Sequence, residues 1–66
     1  MEYKVELSGF DETTGFFVRR TMDVNSPLAE FAKEIALAVA GREGLRDAKV
    51  KGCWRREAYD VPVGRE

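Results

Sequence analysis

Two stretches near the start of the chain alternate between apolar and polar residues. Residues 2–7 place Tyr3, Val5 and Leu7 between charged neighbours, and this period of two is typical of a half-buried strand. Residues 16–24 alternate in the same way, except that Arg20 occupies a position on the apolar face. We expect its stem to reach the sheet edge, or a bulge to shift the register there. Residues 9–15 have turn chemistry, so the two strands predict a hairpin.

The pattern then changes to a helical period over residues 26–40, SPLAEFAKEIALAVA. Ser26 is a favoured N-cap and Pro27 suits the first helical position. Gly41 and Gly44 follow the pattern and predict its end. At 100° per residue one apolar stripe faces the core, while Glu30, Lys33 and Glu34 lie opposite. The predicted stripe consists of Leu28, Phe31, Ala32, Ile35 and Val39.

Leu37 falls on the far side of this helix from the predicted stripe. We therefore expect its side chain to be exposed. Single exposed leucines are common in monomeric proteins, and the alternative is a contact with a second subunit or another protein.

A third strand is predicted from Ala48 to Arg56, with Val50 and Trp54 on its core face and either a bulge or a close backbone approach at Gly52. Residues 57–66 contain Pro62 and predict either an irregular tail or an edge strand. The resulting fold is α+β, β-β-α-β, one domain over residues 1–66, with a three-stranded antiparallel sheet of order 2-1-3 and the helix on one face. The other face is expected to be open and to carry Lys4, Glu6, Phe17, Arg19, Thr21, Lys51, Cys53 and Arg55.

Composition restricts the chemistry that this fold can perform. The chain has no histidine and one cysteine, so we expect no tetrahedral zinc site, no imidazole-activated nucleophile and no disulfide. Gly41 and Gly44 follow the predicted helix, whereas the glycines of a phosphate-binding loop precede one. We predict no enzymatic activity, no cofactor and no metal. The chain has no secretory leader and no apolar run of membrane-spanning length, which indicates a soluble, cytoplasmic protein.

Charge is divided unevenly along the chain, although its formal net value is −1. Residues 1–40 carry seven acidic and four basic side chains, and residues 41–56 carry two acidic and six basic ones. Because a chain of 66 residues buries a small core, association with a second copy would add stability. The first hypothesis is therefore a small protein-interaction module, with a homodimer as one form of it. Its partner-binding residues would be Phe17, Arg19, Leu37, Lys51 and Arg55.

The alternative hypothesis is a nucleic-acid-binding accessory protein. In the run Cys53 to Arg56 an aromatic ring stands beside arginines, which is the chemistry that stacks bases and holds phosphates. The simpler interpretation of Trp54 is a large core residue of the third strand. The nucleic-acid hypothesis would use Arg19, Arg20, Lys51, Trp54, Arg55 and Arg56.

Overall fold

The computed structural model describes residues 1–56 and 60–62. The elements are β1 (Glu2–Asp11), β2 (Phe17–Asn25), α1 (Ala29–Arg42), β3 (Leu45–Arg56) and β4 (Asp60–Pro62). The strands form an antiparallel sheet of order β2-β1-β3-β4, and α1 packs against one face. The predicted α+β fold and the strand order 2-1-3 are confirmed. Of the predicted tail or edge strand, only residues 60–62 are described, and they pair with β3.

The β1–β2 hairpin is regular along its whole length. All nine pairs from Glu2 with Asn25 to Phe10 with Phe17 follow one register. At the turn, Asp11 Oδ1 accepts hydrogen bonds from the backbone N–H groups of Thr13 (2.8 Å) and Thr14 (3.1 Å). These bonds favour the ionised carboxylate. The Thr14 and Thr13 N–H groups, and then the nearby Arg20 guanidinium, hold the pKa of the Asp11 carboxyl below its ordinary value of 3.8.

The helix begins and ends later than the sequence predicts. Its N-cap is Leu28, and no side chain caps it. The Ser26 amide instead donates to the Met1 carbonyl (2.9 Å), so Ser26 continues the strand ladder, while its hydroxyl bonds to the Leu28 backbone. The prediction of Ser26 as N-cap was therefore wrong. At the other end Gly41 lies inside the helix, and Gly44, at φ 92°, supplies the left-handed residue that ends this segment.

The helix also packs on a different side from the predicted one. Its buried residues are Ala32, Ala36 and Ala40, each 0% exposed. At 100° per residue this alanine ridge is turned by roughly 80° from the predicted stripe. Side chains without a γ carbon let the helix backbone approach the sheet closely, and the larger residues are displaced to the flanks. The prediction that Leu28, Phe31 and Ile35 form the core was wrong, since all three are exposed.

The same rotation overturns the prediction for Leu37. Its side chain is half-buried and packs against the core instead of pointing into solvent. It lies on the flank of the alanine ridge opposite Phe31 and Ile35. Leu37 therefore lies away from the exposed apolar residues of the helix.

The pairing of β3 with β1 has two register shifts, and each shift reverses which face of the sheet the following β3 residues occupy. Glu6 faces Gly52 and the next residue of β1, Leu7, faces Val50, so Lys51 is an extra residue at the first shift. The shift lies beside Gly52, as predicted. Because an extra residue reverses the alternation of faces, Val50 and Trp54 lie on opposite faces and not on the shared one predicted.

Cross-strand pairs show which β3 residues face the helix. Cys53 lies opposite Val5 and is buried among the core residues, and Arg55 lies opposite Tyr3 on the same face. Trp54 lies opposite Lys4, on the face away from the helix. The predictions that Cys53 and Arg55 belong to the open face, and that Trp54 belongs to the core, were therefore wrong.

The buried core is small, and most of its side chains are short. Among the described residues only Leu7 and Val5 are large side chains that are fully buried. The other core residues are Tyr3, Val24, Leu45, Cys53 and three alanines. Much of the chain's larger apolar surface therefore remains outside the core, at Phe10, Phe16, Phe17, Leu28, Phe31 and Ile35.

Candidate interaction surfaces

A groove of about 550 Å³ runs between α1 and β2. The helix lies mainly over β3 and β1, so the helix-facing side of β2 is only partly covered. Met22 and Val24 form part of the floor, and Ile35 and Val39 form the helical wall. We call this surface the helix–strand groove; its described lining is Arg20, Thr21, Met22, Asp23, Val24, Asn25, Ile35, Val39 and Glu43.

Arg20 closes one end of the helix–strand groove. Its guanidinium lies 3.3 Å from Asp11 Oδ2 and 3.7 Å from Glu43 Oε1, so it links the hairpin turn to the end of the helix. The regular pairing of β1 with β2 excludes a bulge at this position. Of the two expectations for Arg20, the bulge was therefore wrong, and its side chain is 32% exposed at the end of the groove. The positive charge of Arg20 is therefore paired with two carboxylates of the same chain.

The helix wall continues as an exposed apolar strip. Leu28 is 54% exposed, Phe31 48% and Ile35 41%. Val39 continues the strip at the same angle of the helix and is half-buried. Isolated exposed apolar residues are ordinary, but several adjacent ones beside a groove are typical of a docking surface.

The sheet face away from the helix, which we call the open face, carries a second cleft of about 590 Å³. Phe10 and Phe17 lie opposite each other on β1 and β2, with ring centroids 5.4 Å apart at 68° in an edge-to-face arrangement. Ser8, Lys49 and Lys51 contribute to the same cleft. The cleft therefore combines two exposed aromatic rings with two exposed lysines and one carboxylate, that of Asp47.

Trp54 occupies the opposite end of the open face. Its ring covers Gly52, where an added Cβ would lie 2.5 Å from the ring carbon Cη2. The ammonium of Lys4 lies 5.5 Å from the centre of the Trp54 ring, within the range of a cation–π interaction. Arg56 on this face donates to Asp23 of β2 (3.0 Å). Trp54 is thus fixed on a surface, and Gly52 provides the space that its ring needs.

The structure divides the residues proposed from the sequence between the two faces. Of the partner-binding set, Phe17 and Arg19 lie on the open face and Lys51 is an exposed residue at the β3 irregularity. Leu37 and Arg55 lie on the helix side of the sheet.

The nucleic-acid set is divided in the same way. Arg19, Trp54 and Arg56 lie on the open face, and Lys51 adjoins them at the β3 irregularity. Arg20 faces the helix–strand groove, and Arg55 shares the helix side. The six residues therefore do not form one patch.

Sequence reasoning missed several residues of both surfaces. Ile35 and Phe31 have the hydrophobicity of core residues, and only the alanines at four-residue spacing indicated another packing side. Phe10 was assigned to turn chemistry, although it continues the alternation of the first strand on its polar face. Lys49 was not missed in this way: it comes directly before Val50, which packs against the core, so alternation along the third strand already predicts it on the opposite face.

Some kinds of site are not found in the part of the chain that the structure describes. Residues 1–56 and 60–62 contain no group of three or more cysteine or acidic side chains placed to hold a metal ion. Over the same residues, α1 is the single helix, and it is too short and insufficiently apolar to cross a membrane.

No protein-family model, curated protein or solved structure matches this chain. The interaction surfaces must therefore be interpreted from their own geometry and chemistry.

Proposed function

We propose that the chain is a small, non-enzymatic protein-interaction module that binds protein through the helix–strand groove. The observation that carries this proposal is the exposure of Leu28, Phe31 and Ile35 along one side of α1, with Ile35 in the wall of the groove beside the edge strand β2. A short chain gains stability by burying apolar surface, and this one instead uses alanines to contact the sheet. The arrangement is favourable if a partner covers the apolar strip.

Two kinds of contact are available at the same place. The helix wall offers apolar area, which supplies most of the free energy of association between proteins. The β2 edge offers backbone N–H and C=O groups, which fix the orientation of an added strand. The cytoplasmic location expected from the sequence is part of this proposal.

Site-specific photo-crosslinking tests the proposal. Ile35→benzoylphenylalanine places the reactive group in the groove wall, and Glu34→benzoylphenylalanine, one residue earlier on the same helix, places it about 100° away toward solvent. Both positions are exposed, so each substitution is tolerated by the fold. On irradiation of cells that express the chain, position 35 is expected to give discrete protein adducts and position 34 few. Equal yields of protein adducts at the two positions, or none at either, would refute the proposal.

A second candidate function uses the open face to bind single-stranded nucleic acid. It is supported by the Phe10–Phe17 ring pair beside Lys49 and Lys51, because aromatic rings stack on bases and lysines contact phosphates. Arg20 and Arg55, on the other side of the sheet, have no part in this version of the hypothesis.

Fluorescence anisotropy with a labelled single-stranded oligonucleotide tests the second candidate. We expect Phe17→Ala to weaken binding by roughly tenfold, since one stacked base contributes about 1–3 kcal/mol. Phe31→Ala, an exposed phenylalanine on the other side of the molecule, is the matched control and should leave binding unchanged. Binding should also weaken steeply between 50 and 200 mM salt. No anisotropy change at the lower salt concentration would exclude the open face as a nucleic-acid site.

A further inference from the structure

The outer edge of β2 is a long and regular strand edge. Its nine residues contain no proline, and its pairing with β1 has no register shift. The opposite edge of the sheet is formed by β4, which has three residues and ends at Pro62. Natural proteins protect sheet edges with short strands, prolines, bulges and inward-pointing charged side chains. Among the described residues, β2 is not short and has no proline or bulge, and its inward-pointing charge, Arg20, is paired with Asp11 and Glu43 of the same chain.

The hydrogen bonds at the ends of the hairpin show which backbone groups of β2 point outward. The Ser26 amide donates to the Met1 carbonyl (2.9 Å), and the Asp11 amide donates to the Phe16 carbonyl (2.8 Å). In an antiparallel ladder hydrogen-bonded pairs alternate with non-bonded ones. The even-numbered residues of β2 therefore bond to β1, and the outward N–H and C=O groups belong to Phe17, Arg19, Thr21, Asp23 and Asn25.

We infer that the partner bound at this edge is a second copy of the chain, paired antiparallel through β2 about a two-fold axis at Thr21. This inference rests on the proposed function and names its partner. Thr21 is the middle residue of β2, so a two-fold axis there pairs the strand over its full length. In this register every outward residue of one copy faces an outward residue of the other.

Charge complementarity selects this register among its neighbours. With the axis at Thr21, Arg19 lies opposite Asp23 of the partner subunit, and the symmetry makes this pair twice. A shift of two residues places Arg19 opposite Thr21 or Asn25 of the partner subunit and loses both pairs. A shift of one residue turns the added strand over. The partner's helix would then lie on the opposite face of the sheet, and its outward N–H and C=O groups would no longer meet those of the first copy.

Pairing at this edge also extends the floor of the helix–strand groove, because the partner's β2 continues the sheet beside it. Opposite residues of an antiparallel pair point to the same face, so both helices lie on the same side of the continuous sheet. Val18 then faces Val24 of the partner subunit on the groove floor. The walls formed by Ile35 in the two copies face each other across the axis. The dimer thus joins the two grooves into one trough, which has exposed Ile35 on both walls.

Disulfide crosslinking of the purified protein tests the register. Residues of a hydrogen-bonded antiparallel pair have Cα atoms about 5.5 Å apart, which a disulfide can span. Under mild oxidation Thr21→Cys should form a covalent dimer. Wild type is the control, because its single cysteine, Cys53, is 4% exposed. Arg19→Cys and Asp23→Cys should crosslink when mixed, and much less when each is oxidised alone.

A charge exchange tests the same pairing without a covalent bond. Arg19→Asp should weaken dimerisation by roughly tenfold, since it replaces two attractive cross-strand pairs with repulsive ones. Arg19→Asp combined with Asp23→Arg should restore much of the affinity, which sedimentation equilibrium measures. Circular dichroism of each variant shows whether the fold survives the loss of the contacts from Arg19 to Glu6 and from Arg56 to Asp23.

The outcomes separate this inference from the proposed function. A dimer that crosslinks at Thr21 and in the mixed pair supports both. A purified protein that stays monomeric, or a dimer that crosslinks equally with each single cysteine, overturns the Thr21-centred dimer. If position 35 still gives adducts with another protein in cells, the interaction module stands and its partner is different. If position 35 gives no protein adduct, the proposed function fails as well.

Discussion

Enlarging one buried alanine of α1 tests the packing side of the helix directly. Ala36 is 0% exposed and faces the sheet, whereas Ala38 on the same helix is exposed. Ala36→Leu and Ala38→Leu add the same atoms to the same helix, and leucine and alanine both have high helix propensity. Any difference between the two variants must therefore come from the surroundings of the side chain.

The expected difference is large for a chain of this size. Additional carbon atoms in a closely packed core force shifts that destabilise by about 1–3 kcal/mol, so we expect Ala36→Leu to lower the free energy of unfolding by that amount. Ala38→Leu should stay within about 0.5 kcal/mol of wild type, as exposed substitutions do. For a domain of this length each kcal/mol corresponds to a change in Tm of about 4–8 °C.

Urea denaturation followed by far-UV circular dichroism measures both variants. With a slope of about 1 kcal/mol per molar urea for a small domain, Ala36→Leu should move the midpoint by at least about 1 M. The measurement should be repeated at several protein concentrations, because dimerisation makes apparent stability concentration-dependent. Equal effects of the two substitutions, or a larger effect at position 38, would show that the alanine ridge does not face the sheet.

Three further outcomes are expected from the hairpin and the third strand. Gly9→Ala should destabilise by about 1–3 kcal/mol, because an added Cβ would lie 2.8 Å from the Arg46 carbonyl oxygen; an unchanged Tm would contradict that close approach. The Asp11 carboxyl has a folded pKa below 3.8, so its stabilising effect is present above that pH and lost as pH falls through the folded pKa. The Tm advantage of wild type over Asp11→Asn should therefore shrink in acid. A difference in Tm that does not change with pH would contradict the lowered pKa of Asp11. Gly52→Val should displace the Trp54 ring that lies over this glycine and change its fluorescence maximum, and an unaltered emission spectrum would refute the contact.

The helix shows how much of the fold can be predicted from the local sequence pattern. The change from a period of two to a period of 3.6 locates three strands and one helix, because burial on one face requires these periods. Helix limits were less predictable. Ser26 is a good N-cap by residue type, but its amide continues the ladder toward Met1, and that bond forms only once the hairpin is in place.

The candidate surfaces were less predictable than the fold for a related reason. Phe31 and Ile35 are hydrophobic enough to be core residues, and which flank of the helix they occupy depends on how closely α1 approaches the sheet. Trp54 and Cys53 exchanged faces because one extra residue, Lys51, changes the register of everything beyond it. A single-residue shift has no fixed sequence signature, although it moves every following side chain of the strand to the opposite face of the sheet.

By itself, the sequence determined the class of fold, the order of its elements and a composition without histidine. These properties follow from periodicity and composition, which are local and additive along the chain. The tertiary structure alone decided which side of α1 is buried, which face of β3 carries Trp54, and that β2 presents a regular outer edge beside an apolar groove. These properties depend on packing distances and strand register between residues far apart in sequence, and a local pattern does not contain them.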